Sequence, residues 1–128
     1  MDKITNDSLY IRLGSATGIS KLVDDIVDNH MKNPGIRTRF LPYKDTPDKL
    51  EKVKLHTRQF LGVGTGGPEI YEGKDMPAAH RGMNISEAEF VHVLDDILAA
   101  LDKNNIGQAE KNEVLAISYS LKEHIVRL

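Results

Sequence analysis

Gly66-Gly67-Pro68-Glu69-Ile70-Tyr71-Glu72-Gly73-Lys74-Asp75-Met76-Pro77-Ala78-Ala79-His80 is the stretch on which the fold turns. Its glycine pair stops the preceding helix, since glycine gives up more backbone freedom in a helix than any other residue. An irregular span follows, and Pro77 then stands where proline is tolerated, in the first turn of a short helix. Met76 and His80 lie four residues apart, so on that turn their side chains leave the same face. Arg81-Gly82 stops the turn immediately after the histidine. The result is one imidazole and one soft, polarizable apolar group presented side by side.

Five helical segments surround this stretch, with no convincing strand. Ser8 to Leu13 reads as a short helix stopped by Gly14. A second helix starts near Ser15 or Thr17 and runs to Lys32. Its apolar stripe is Ile19, Leu22, Val23, Ile26, Val27 and Met31, and Asn33-Pro34-Gly35 ends it. A brief segment, Ile36 to Leu41, leads into Pro42. Thr46-Pro47-Asp48 places an N-cap threonine, a proline at the first helical position and an acid in the first turn. The stripe after it is Leu50, Val53, Thr57, Phe60 and Leu61, which the glycines at 62, 64, 66 and 67 are expected to dissolve. Ser86-Glu87-Ala88-Glu89 is a capping box with Ile85 and Phe90 as its hydrophobic staple. The helix it opens presents Phe90, Leu94, Ile97, Leu98 and Leu101. Asn104-Asn105-Ile106-Gly107 turns the chain into a last helix, expected from Ala109 to Val126, with Val114, Ile117, Leu121 and Ile125. Neighbouring long helices joined by short turns pack antiparallel, so two pairs would sandwich whatever His80 holds.

The 128 residues suit a single domain, 1–128. A net charge of −2 without a Lys/Arg cluster argues against nucleic acid as a partner. The absence of cysteine excludes disulfides, thiolate metal sites and cysteine nucleophiles. Met1-Asp2-Lys3-Ile4-Thr5-Asn6-Asp7 lacks the apolar core of a signal peptide, and no later run approaches membrane-spanning length, so a cytoplasmic protein with no membrane partner is expected. No tryptophan and three phenylalanines make a lean core, with room for a large apolar cofactor.

The Gly-Gly, Tyr-x-Gly-x-x-Met-x-x-x-His pattern resembles the proximal region of the group I truncated haemoglobins, the two-over-two globins, and every one of its positions is filled here. The resemblance covers nearly the whole chain. It opens at Ser8-Leu9-Tyr10-Ile11-Arg12-Leu13-Gly14, passes through Asn33-Pro34-Gly35-Ile36 to Phe40, resumes at Phe60-Leu61 and closes in Glu113-Val114-Leu115-Ala116. It implies an all-α two-over-two helical sandwich around one non-covalent haem b. His80 would be the axial iron ligand, since a neutral imidazole is what a porphyrin iron takes on its proximal side. Phe40, Val53, His56, Thr57, Phe60, Tyr71, Met76 and Ile85 would line the cofactor, with Lys52 and Lys74 as cations for its propionates. The implied function is reversible binding of oxygen, nitric oxide or carbon monoxide by a monomer. An enzymatic version, nitric oxide dioxygenation, needs an external reductase, because the chain carries no flavin or nicotinamide motif.

The other histidines separate by position. His56 borders the stripe of its helix, and His56-Thr57-Arg58-Gln59-Phe60-Leu61 resembles a His-Gln-x-x-Phe-Leu run of cyanobacterial and algal members. There such a histidine serves as a sixth ligand, so a hexacoordinate haem protein for redox or ligand sensing is the alternative reading. His30, on the apolar side of the second helix, reads as packed rather than ligating. His92 is expected to be exposed, and His124 to border the last stripe. Some relatives link a histidine of that helix to a haem vinyl group; the equivalent position here is Glu123, so no link is expected. Two departures concern ligand chemistry. Where the family usually carries a tyrosine facing the ligand, this chain has Val27, and where a glutamine is frequent it has Thr57. The distal pocket expected here is therefore Val27, Val53, His56 and Thr57.

Two readings of other classes remain. A helical non-haem iron protein needs several His and Glu side chains on facing helices, a set that Glu87, Glu89 and His92 do not supply. A metal-free helical adaptor would leave His80 incidental.

Overall fold

Seven α-helices succeed one another among the described residues, 7–128, of the computed structural model: α1 Leu9–Arg12, α2 Ser15–Lys32, α3 Arg37–Phe40, α4 Pro47–Gly64, α5 Met76–His80, α6 Glu87–Lys103 and α7 Gln108–Tyr119. Two 3-10 turns, Leu41–Asp45 and Lys122–His124, complete the order. Residues 1–6, which hold most of the amino-terminal run read above, lie outside the described residues. The only pairing of strand type among the described residues is a parallel bridge between Ile85 and Val126. None of the helices is long and apolar enough to cross a membrane.

α2 is the central element, packed on α4 and on α6, while α6 also packs on α7. This is the expected arrangement of two helix pairs. Its core cluster joins Leu9, Tyr10 and Leu13 of the first segment to Ile19, Leu22, Val23 and Val27 of α2, Leu101 of α6 and Val114 of α7. Burying one such aliphatic side chain is worth about 1.5–3 kcal/mol, so this cluster supplies most of the drive that sets α1, α2, α6 and α7 together.

Polar side chains fix the register. Ser8 caps α1 by accepting from Ile11 N at 3.3 Å. Arg12 ties α1 to α7 through Glu110 at 2.9 Å and through Glu113. Asp25, buried on α2, accepts from Lys21 at 2.6 Å, Asn104 at 2.8 Å and Lys103 at 3.2 Å, and so anchors the end of α6. The capping box at Ser86 forms as expected, Ser86 N donating to Glu89 at 3.1 Å and Glu89 N to Ser86 Oγ at 3.1 Å. Ile85 and Phe90, its staple, are both buried. Glu89 also takes Arg39, which brings α3 onto the start of α6.

Four sequence expectations are corrected. α4 does not break at its first glycine: it passes through Gly62 and ends at Gly64, within the glycine run. Gly62 is buried there, and a Cβ on it would stand 2.5 Å from Glu69 Oε2, so the glycine serves close packing of the following loop. Thr46 precedes α4 without capping it, its hydroxyl reaching back to Pro42 O at 3.5 Å. The last helix stops at Tyr119 instead of Val126; the chain turns through Lys122–His124, leaving His124 exposed outside any α-helix, and Val126 pairs with Ile85. His92 is half-buried, its ring over Gly35, where a Cβ would come within 2.4 Å.

Arg39 and the Ser86 amide hold the Glu89 carboxyl at about 2, and Lys21, Asn104 and Lys103 hold that of Asp25 at about 2, both below the ordinary carboxylate range. A carboxyl with a depressed folded-state pKa contributes stability above its unfolded value and loses it as pH falls through the folded one. Stability should therefore decline between about pH 4.5 and pH 2, with each group contributing on the order of 2 kcal/mol. Acid titration of the melting temperature checks this: Asp25→Asn and Glu89→Gln should each be less stable at pH 7 and flatter over that window.

Candidate functional site

Asp75 accepts from Ala78 N at 2.8 Å and starts α5, with Pro77 inside its first turn. The helix is long enough to carry Met76 and His80 on one face, and both are half-buried. His80 Nδ1 lies 2.8 Å from Met76 O. A carbonyl only accepts, so Nδ1 is the protonated nitrogen, and in the neutral ring the lone pair is on Nε2, the tautomer in which an imidazole serves as a metal ligand through Nε2. The hydrogen bond also fixes the ring's orientation, as a backbone carbonyl behind a ligating histidine does.

The loop between α4 and α5 is seated by Tyr71. Its ring meets Phe60 edge-on at 5.5 Å and His56 at 6.2 Å, and its hydroxyl donates to Lys74 O. Burial, and then Asp75, pushes the Tyr71 phenol up, so it stays a neutral donor. Beside it, Gln59 donates to Glu72 at 2.6 Å and accepts from Glu72 N at 3.0 Å. His56, Phe60 and Tyr71 are thereby brought into one cluster, with Lys74 backbone attached. Thr57 directs its hydroxyl to Val53 O at 2.7 Å, inside its own helix.

The remaining expected site residues are spread around this cluster. Val53, Thr57 and Phe60 are half-buried along α4, whose only fully buried residue is Gly62. Val27 is packed into the core cluster with Leu22, Val23 and Leu101. Ile85 is buried at the bridge to Val126. Lys52 and Lys74 are exposed. Phe40 forms a second aromatic group, its ring 4.8 Å from His30 and 6.5 Å from Tyr43.

Sequence reasoning missed the partner of His30. His30 is buried, and its Nδ1 stands 2.7 Å from Asp96 Oδ2, while Asn33 donates to Asp96 Oδ1 at 3.0 Å. Burial lowers the His30 pKa and Asp96 opposes that shift, leaving a neutral ring behind Phe40. A signal for the pair was present: Asp96 interrupts the α6 stripe between Leu94 and Ile97, and His30 interrupts that of the facing helix. Among the described residues no group of three or more His, Asp or Glu side chains could hold a metal ion. Glu89 and His92 share a face of α6, but Glu89 is engaged by Arg39 and Ser86, and His92 covers Gly35.

Two helix pairs with a short histidine-bearing helix between α4 and α6 define an all-α truncated globin fold. The chain belongs to the bacterial-like globin family, whose model matches residues 8–127. It is similar to a group 1 truncated haemoglobin of Tetrahymena pyriformis, 34% identical over 110 residues, covering 86% of this chain and 87% of that protein. The Fe(III) crystal structure of truncated haemoglobin from the same organism superimposes with a TM-score of 0.86 at 21% identity, over 95% of this chain and 100% of that one. A two-over-two haemoglobin of Synechococcus, crystallised in the cyanomet state with covalently attached haem, superimposes with a TM-score of 0.80 at 23% identity, over 92% and 94%. The family is generally one of haem-based binding of small gaseous ligands such as oxygen.

If Tyr71 is what seats the α4–α5 loop, its ring should matter more than its hydroxyl. Tyr71→Phe should cost about 1 kcal/mol, one hydrogen bond, and Tyr71→Ala about 2–3 kcal/mol through lost burial. Urea unfolding of the two variants checks the order; equal losses would show that the ring contacts on Phe60 and His56 are dispensable.

Proposed function

We propose that this chain, as one domain over 1–128, binds one haem b non-covalently through His80 and reversibly takes up oxygen, nitric oxide or carbon monoxide. The observation that carries the reading is the hydrogen bond from His80 Nδ1 to Met76 O, which leaves Nε2 as the ligating nitrogen. The residues fit a flat apolar group in a second respect. α4 leaves its apolar stripe half-buried, as a wall against such a group would, while α2 buries all of its stripe but Met31. Phe40, Val53, Thr57, Phe60, Tyr71, Met76 and Ile85 would line it, with Lys52 and Lys74 near its propionates. Haem supplies an iron that binds diatomic ligands; the chain holds it, orients it and keeps water away.

On the distal side the chain's own donors are few. Val27 offers none, and the Thr57 hydroxyl is already engaged by Val53 O. His56, half-buried against Tyr71, is the remaining candidate, either as a donor to the ligand or as a sixth ligand. The haem of the Synechococcus protein is covalently attached; no such link is expected here, with Glu123 at the position where some relatives carry the linking histidine. Nitric oxide dioxygenation remains the enzymatic version and depends on an external reductase; we place the protein in the cytoplasm as a monomer.

An absorbance spectrum of the purified protein tests the cofactor, since only haem gives an intense band near the violet edge. His80→Ala should retain haem poorly and melt lower, because a cofactor bound to the native state alone stabilises it by mass action. Normal haem content with an unchanged five-coordinate ferrous spectrum would assign the ligand elsewhere.

Dissociation of oxygen tests the distal side. A hydrogen bond to a partly charged acceptor contributes roughly 1.5–3 kcal/mol, so the wild type should release oxygen on the order of ten- to a hundredfold faster than tyrosine-bearing relatives. Val27→Tyr should slow release. His56→Leu should speed it if His56 donates, and should turn a low-spin ferric form high-spin if His56 ligates. A slow wild-type rate unmoved by His56→Leu would exclude both roles.

A further inference from the structure

The turn that follows His80 is held by a remote segment. Arg81, Gly82, Met83 and Asn84 are all exposed, and a Cβ on Gly82 would meet nothing within 4 Å, so side-chain packing does not shape this turn. Its backbone is nonetheless confined. Gly82 N donates to Leu128 O at 3.0 Å and Asn84 N to the same oxygen at 3.3 Å, while Arg127 N donates to Ile85 O at 2.8 Å. Val126 pairs with Ile85 in a parallel bridge, and the 3-10 turn Lys122–His124 packs against α5 itself.

The same junction concentrates left-handed backbone. Gly82 has φ 89°, Asn84 φ 48° and Arg127 φ 62°. Glycine and asparagine adopt this region readily, whereas for an arginine it carries a cost that its surroundings must overcome. The Arg127 side chain does not supply the compensation: it is mostly exposed, and its nearest carboxylate, Glu87, is 3.7 Å away. What keeps Arg127 in place is the hydrogen bond of its own amide and those that its neighbour accepts.

We propose that Val126–Leu128 is a strap that positions His80 through the 81–85 turn, with Arg127 as the residue whose backbone sets the strap's tension. The strap holds the turn at both ends, so displacing it would free α5 to tilt and would change the direction from which His80 Nε2 approaches the iron. This rests on the haem ligation proposed above for His80. It also gives a reason for the early end of α7: a helix continued to Val126 would carry these residues away from Ile85.

Two substitutions at Arg127 separate backbone from side chain, since both remove the charge. Arg127→Pro removes the N–H and forbids a positive φ, whereas Arg127→Gly keeps the N–H and relieves the strain. In haem-free protein, amide hydrogen exchange at Gly82 and Asn84 should be at least about tenfold faster in Arg127→Pro, the effect of losing one or two backbone hydrogen bonds, and slower than in wild type in Arg127→Gly. In the ferrous haem form the iron–histidine stretching band should shift and broaden in Arg127→Pro only, with haem transfer to an excess of apomyoglobin accelerated about tenfold. Faster exchange with an unmoved band and unchanged haem transfer would make the strap merely structural and overturn the proposal; unchanged exchange would overturn it directly. Should the proline variant fail to fold, the glycine variant carries the test: slower exchange and slower haem transfer than wild type support the strap, and identity in both overturns it. A wild type without the violet-edge band would defeat the haem reading, and the positioning role with it, while the exchange contrast would still report whether the strap holds the turn.

Discussion

One hydrogen bond, from His80 Nδ1 to Met76 O, decides what this fold presents at its centre. It exists because the two residues are four apart on a helix barely longer than one turn. A helix this short is not stable by itself. It stands because Asp75 caps it, Tyr71 seats the loop before it and the 126–128 segment restrains the turn after it. The glycines and the Tyr71 contacts can be read as means of delivering one imidazole in one tautomer.

The helices that do not touch this centre follow local rules closely. The capping box at Ser86, the short helix closed by Gly14 and the stripes of α2 and α6 all formed where the sequence placed them, because each is set by neighbours within a few residues. The departures are tertiary. α4 passes through Gly62 because Glu69 packs against a residue without a side chain, a contact no local pattern reveals. α7 stops early although Leu121 and Ile125 continue its period, because backbone partners at Ile85 and the 82–84 turn compete for the residues beyond. His92 looked like a surface residue by helical phase, but Gly35 leaves a space that its ring fills.

The candidate site was legible where chemistry is tied to spacing. Met76 to His80, four residues apart on one short helix, is such a case. It was illegible where two distant helices meet. The pairing of His30 with Asp96 needs the crossing of α2 and α6, and only that crossing turns two isolated polar interruptions into one satisfied group. Its placement behind Phe40 links the support of an expected cofactor-facing aromatic to a buried ionisable pair.

The composition of the core cluster has a consequence for how the molecule comes into being. Its members are drawn from residues 9–27 and from 101 and 114, while the span that carries α4, Tyr71 and His80 lies between them in the chain. Contacts so distant in sequence require a large loop to close before they reward the chain. During synthesis the early helices therefore wait for α6 and α7, and the loop bearing His80 is made before the core that will support it.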